Sequence, residues 1–201
     1  MKKAKKILAL LLCAVLLVGA TVAGTVAYLT SQDVVTNTFT VGQVAITLDE
    51  EDVDNSTEGE NDRDKANKYH LMPGTTYTKD PTVHVKNDSE PSYIFVEIVN
   101  QLKDIVDATT IEDQIIANGW TALTEGGNVY YKTWSKAEDA TGEYTDLVVF
   151  QNFKIKNDVS NTTLNSYENK TITVTAYAIQ QANTTDAATA WGYVKNASTN
   201  S

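Results

Sequence analysis

Apolar and polar residues alternate along the chain from Val35 onward, with the period of two expected of half-buried strands. Val35, Phe39 and Val41 keep one phase, and Val44, Ile46 and Leu48 take the opposite phase after Gly42-Gln43. A phase change at a glycine predicts a bulge or sharp bend between strands. Further strands are predicted at 82–86, 93–100, 128–134, 147–156 and 170–180. Ile94-Phe95-Val96 and the run from Leu147 to Phe150 are apolar on both faces, so those strands should be central. Two segments read as short helices. Thr110-Ile111-Glu112-Asp113 is a capping-box pattern, with Ile111 and Ile115 on one face and Asn118-Gly119 as the stop. Thr185-Asp186 opens a second, in which Ala187 and Trp191 share a face before Gly192 ends it. Many short strands with one or two short helices predict an all-β fold, a two-sheet sandwich of jelly-roll type. Trp120, Trp134 and Trp191 are expected in its packing.

The first 27 residues depart from this pattern. Lys2, Lys3, Lys5 and Lys6 form a basic start, 7–18 is an apolar run, and 19–27 is made of small residues, the three parts of an export signal. Thr25 and Ala27 supply the small side chains that a signal peptidase reads, which predicts a cut between Ala27 and Tyr28. The competing reading is an uncleaved anchor, because 7–29 exceeds the roughly 20 apolar residues that span a bilayer. In either case the membrane is met only through the uncleaved precursor. The expected organisation is a signal peptide at 1–27, a sandwich at 28–195 with an acidic loop at 49–65, and a polar tail at 196–201.

Charge and cysteine use narrow the function. Four of the 16 basic residues lie in the leader, leaving twelve against 26 acidic ones in the rest of the chain. That balance, with no Lys/Arg cluster, argues against a nucleic-acid partner. Cys13 is the only cysteine and lies in the leader, so disulfide and thiol chemistry are excluded from the mature body.

Several segments together carry a family likeness. Gly24-Thr25-Val26-Ala27-Tyr28-Leu29-Thr30-Ser31 runs into Thr38-Phe39-Thr40-Val41-Gly42-Gln43-Val44-Ala45-Ile46-Thr47-Leu48. Leu71-Met72-Pro73-Gly74 precedes Val83-His84-Val85-Lys86-Asn87 and Tyr93-Ile94-Phe95-Val96, and the strand from Ile172 to Gln180 is followed by Ala187 to Trp191. In this order the chain resembles the TasA/camelysin family of secreted matrix and surface proteins of Gram-positive bacteria, whose leaders are cut by the signal peptidase SipW. The resemblance implies a jelly-roll sandwich, secretion to the matrix or cell surface, and SipW and other matrix subunits as partners. Some relatives are classed as metallopeptidases.

Catalytic motifs are scarce. A zinc protease needs two histidines a helical turn apart with a glutamate, and this chain has only His70 and His84, one in an expected loop and one on a strand. They are the only candidate metal ligands of that kind. No G-x-S-x-G occurs. The nine carboxylates between 49 and 65 read as a solvated loop; they have oxygens enough for calcium but not the spacing of an EF-hand, since Thr57 falls where glycine is needed. No cofactor is otherwise expected.

Three functions compete. The first is a structural subunit of an extracellular fibre, self-associating when an N-terminal strand with Val35, Phe39 and Val41 completes the sheet of the next copy. The second is a monomeric surface-binding or adhesion module. The third is a camelysin-like metallopeptidase.

Overall fold

The computed structural model describes residues 43–55, 63–124, 127–182 and 184–199. The expected leader with Thr25, Ala27 and Tyr28, the strand residues Val35, Phe39 and Val41, and residues 56–62 of the acidic segment lie outside the described residues. In chain order the elements are β1 (Ile46–Glu51), β2 (Arg63–Asp64), β3 (Thr76–Thr78), β4 (Thr82–Lys86), β5 (Ser92–Asn100), α1 (Ala108–Ala117), β6 (Thr121–Ala122), β7 (Val129–Trp134), β8 (Tyr144–Val148), β9 (Asn152–Lys154), α2 (Asn161–Asn165), β10 (Ile172–Gln180) and α3 (Ala187–Thr199). No helix among the described residues is long and apolar enough to cross a membrane.

The fold is an all-β sandwich. One antiparallel sheet has the order β2-β1-β4-β8 and the other β10-β5-β7-β6, with β3 and β9 paired as a small ribbon. Period-two alternation decides what each sheet buries. From the first sheet Val83 and Val85 point inward with Ile46, Leu48 and Leu147; from the second come Ile94, Val96, Ile98, Tyr130 and Trp134. The opposite face of the second sheet is also apolar, and α3 covers it. Phe95, which is 0% exposed, packs there with Val129, Ala187, Ala190 and Val194, and its ring lies 5.2 Å from that of Trp191. β5 is therefore a central strand with both faces covered, as its sequence predicts.

Four other expectations are corrected. The strand predicted at 147–156 is broken: β8 ends at Val148, β9 starts at Asn152, and β8 is an edge strand rather than a central one. Val149 and Phe150 are both fully buried; neighbouring residues of a regular strand point to opposite faces, and the outer face of this sheet is the polar one that carries His84 and Asp146, so the backbone must leave the sheet to bury both. Helix α1 and the turn that follows it satisfy the freed backbone groups. Gln114 Oε1 accepts the Gln151 and Asn152 N–H groups at 2.9 and 3.2 Å, Asn118 donates to the Val149 carbonyl at 3.1 Å, and Trp120 Nε1 donates to the Val148 carbonyl at 2.8 Å.

The other three concern helices. α1 begins at Ala108 with Asp107 as N-cap, so the pattern starting at Thr110 lies inside the helix; Ile111 and Ile115 are buried and the chain turns at Gly119, whose φ is 81°. α3 runs through Gly192 to Thr199, because Ala190 and Val194 continue the buried face of Ala187 and Trp191, and the tail expected from Asn196 begins with the last helical turn. A third helix, α2, opens at Ser160, whose hydroxyl accepts the Thr163 N–H at 3.1 Å.

Truncating Phe95 to alanine removes the ring between the sheet and α3. Such a deletion costs about 3–5 kcal/mol, so urea unfolding of Phe95→Ala, followed by near-ultraviolet circular dichroism, should show a lower midpoint with an unchanged slope.

Candidate functional site

All four strands of the first sheet bring charged residues together on its outer face. Register places His84 beside Thr47 of β1 and Asp146 of β8. His84 Nδ1 lies 2.6 Å from Asp146 Oδ1 and Nε2 lies 2.9 Å from Asp49 Oδ1, so both ring nitrogens are occupied by carboxylates. Arg63 of β2 bonds Asp49 through Nε and reaches Asp80 Oδ2 at 3.1 Å. Burial works against the imidazolium, but the hydrogen bonds and charges of Asp49 and Asp146 outweigh it and hold the His84 pKa above its ordinary value. For Asp49 burial likewise acts against the charged form, and Arg63 and His84 together hold its carboxyl below the usual range.

At one end of the sandwich β1 and β10 face each other across a cleft of about 1000 Å³. Leu48, Leu102, Phe153, Ile172 and Val174 contribute its apolar lining, with residues 64–71 along one wall and α2 and the following turn along the other. Tyr69 stands in the first wall, edge-on to Phe153 at 5.3 Å; burial, then the charges of Glu50 and Asp80, push its phenol pKa up. Three polar side chains are gathered in the same wall. Glu50 (5% exposed) takes the Lys79 ammonium (9% exposed) on Oε2 at 2.5 Å and the Asn67 amide on Oε1 at 3.1 Å.

The seam between β1 and β10 has a definite geometry. Ile46 pairs with Val85 and Gln180 with Ser92, on either side of the 87–91 turn, while Asp49 and Ile172 lie at the opposite end. β1 and β10 thus run in opposite directions. β10 pairs only with β5, and its other edge meets no described strand. None of its nine residues is buried, although Ile172, Val174, Ala176 and Ala178 continue the inner face on which Ile94 and Val96 of β5 are fully buried. Its sequence carries no Lys, Pro or other residue that protects an open edge.

The structure does not bring His70 and His84 together. His70 is exposed and lines the cleft, whereas His84 sits on the outer face of the first sheet. The acidic segment is only partly the solvated loop expected: its first residues form β1, and Glu50 and Asp64, register partners, are both buried. Their burial follows from the inward phase of Ile46 and Leu48, which continues to Glu50, a signal legible in the sequence. Among the described residues the group of three potential ligands is Asp52, Asp54 and Asp64, whose carboxylate oxygens lie within 4.8 Å of one another. All three carboxylates are bonded to nearby backbone: Asp52 Oδ1 accepts the Asp54 N–H, Asp54 Oδ2 the Lys68 N–H and Asp64 Oδ1 the Lys65 N–H. Lys79, Asn67, Arg63, Asp80 and Asp146 carried no spacing signal, because it is strand register and loop closure that bring them to these places.

The class defined so far is an antiparallel β-sandwich with an edge strand, β10, that pairs on one side only among the described residues and borders a cleft. No protein-family model matches the chain, and neither a curated protein nor a solved structure does.

The raised His84 pKa makes stability depend on pH with a definite sign. Its contribution is fully present below the unfolded value of about 6.5 and is lost as pH rises through the higher folded value. A partly exposed pair of this kind is worth about 0.5–1 kcal/mol. Thermal unfolding between pH 6 and 9 should show the wild type losing that margin relative to His84→Gln as pH rises; parallel curves would refute the assignment.

Proposed function

We propose that the chain is an exported structural subunit of an extracellular fibre, of the kind its resemblance to the TasA/camelysin proteins implies, and that copies join by strand addition at β10. The observation that carries this reading is the nine-residue edge of β10, which pairs with β5 and with no other strand among the described residues and whose inner-facing residues are only partly buried. A long edge of this composition is a template for another strand, with backbone hydrogen bonds for affinity and alternate side chains for specificity.

The occupant is residues 34–41 of a second copy, with Val35, Phe39 and Val41 directed to the apolar lining. Direction favours the second copy over the chain's own segment. The Gln43 carbonyl accepts the Glu90 N–H at 3.0 Å, so the chain enters β1 at the end where β10 finishes. A strand at 34–41 that turned directly into its own β1 would run antiparallel to β1 and therefore parallel to β10. Antiparallel addition to β10, the pairing of every described strand, is open to that segment from another copy, and parallel pairing is the less stable per residue. Such a contact is head-to-tail and does not close, so it extends into a filament. In this reading SipW cleavage between Ala27 and Tyr28, outside the membrane, releases the donor strand, and further matrix subunits add through the same edge.

The test uses the chain beginning at Tyr28 and one beginning at Gly42. Electron microscopy and light scattering should show filaments from the first and monomers from the second, and a synthetic peptide of residues 28–41 should bind the shortened chain and block assembly of the longer one. Filaments from the shortened chain would sink the mechanism. A monomeric longer chain would leave the cleft to the competing reading, a monomeric surface-binding module.

A further inference from the structure

Buried beside the cleft, one carboxylate holds an amine and a carboxamide at once. Glu50 lies on β1, Lys79 between β3 and β4, and Asn67 in the segment after β2. Glu50 Oε2 is 2.5 Å from Lys79 Nζ, and Oε1 accepts from Asn67 Nδ2 at 3.1 Å. The second amide hydrogen of Asn67 goes to the Glu51 carbonyl at 2.8 Å, and its Oδ1 accepts the Val53 N–H at 2.9 Å. A buried ion pair is offset only when its remaining lone pairs are also hydrogen-bonded, and Asn67 fills that place at the second oxygen of Glu50. Here the third member is an electrophile, oriented by three hydrogen bonds with its carbonyl oxygen on a backbone donor.

We propose that Lys79 and Asn67 become joined by an intramolecular amide bond, formed by the chain itself with Glu50 as proton carrier. The ammonium passes a proton along its hydrogen bond to Glu50 Oε2, leaving Nζ with a free electron pair. Nζ attacks Asn67 Cγ, and the negative charge that develops on Oδ1 is met by the Val53 N–H. Glu50 then delivers its proton to Nδ2 while a second proton leaves Nζ for the same carboxylate. The Cγ–Nδ2 bond breaks, and Nδ2 departs as ammonia, which takes up that second proton as ammonium. The balance is one ammonium side chain and one carboxamide giving one secondary amide and one ammonium ion. No oxidant, metal or cofactor is consumed.

The bond would fasten the wall of the cleft at Asn67 to Lys79, the residue that leads into β4. It does not rest on the fibre reading, because it concerns a single copy and its formation is read in the monomer. Sequence separation hides the site: the three residues are spaced irregularly, and only the pairing of β1 with β2 and β4 brings their segments to one end of the sheet.

The experiment is an intact-mass measurement of the purified full-length chain, followed by tryptic mapping. The expected mass is lower than that of the sequence by one ammonia, and trypsin should leave Lys79 uncut and yield a branched peptide joining 66–68 to 69–86. Glu50→Gln and Asn67→Ala should both return the full mass with cleavage after Lys79. The wild-type mass decides the matter even if a variant fails to fold. Full mass with normal cleavage at Lys79 in the folded wild type would overturn the proposal and leave a buried ion pair. Loss of water in place of ammonia would put the bond on a carboxyl group, Glu50 or Asp64, and would overturn the assignment to Asn67.

Discussion

Burial of β5 on both faces is the constraint from which the rest of the sandwich follows. Ile94, Val96 and Ile98 on one side and Phe95 on the other must all leave water, and each fully buried side chain of this size is worth about 1.5–3 kcal/mol. One layer cannot meet that demand. The inner side requires the β1-β4-β8 sheet, whose Val83 and Val85 are fully buried against it, and the outer side requires α3. The C-terminal helix is therefore part of the packing of a strand that precedes it by more than eighty residues, which is why it continues past Gly192 rather than stopping there.

Polar groups that this packing traps are matched closely, and no buried side-chain nitrogen or oxygen among the described residues is left without a hydrogen-bond partner. Where the chain departs from the sheet at Val149 and Phe150, Gln114, Asn118 and Trp120 take over the backbone bonding. At Glu50 the inward phase of β1 forces a carboxylate into the interior, and Lys79 and Asn67 meet it there. On the outer face of the same sheet His84 and Arg63 gather three aspartates. These are two charge clusters on opposite faces of the same sheet, one screened by solvent and one withdrawn from it, and the second is far more sensitive to loss of a member.

Edges divide the molecule differently. Of the described edge strands, β2 and β6 are two residues long and β8 five, whereas β10 offers nine residues beside the cleft. Its inner face, only partly buried, is what the packing of β5 leaves unfinished among the described residues. The fibre reading uses that deficit directly: a strand supplied from a second copy would complete what the described part of the chain does not.

The sequence by itself determined the period-two strands, the centrality of β5, the glycine stop after α1 and the division of the chain into an apolar leader and an acidic body, because each rests on neighbouring residues and local conformational preference. It also held the clue to Glu50, two residues beyond Leu48 on the same face, although the surrounding acidity made that segment look like a solvated loop. Tertiary structure alone decided that 147–156 breaks, since two adjacent buried residues conflict with strand geometry only once there is a core on one side to receive both. It alone placed His84 between two aspartates, kept His70 in a different setting, and gathered Lys79, Glu50 and Asn67. Those arrangements depend on register between strands distant in the sequence, and register is set by the packing of whole sheets rather than by any local pattern.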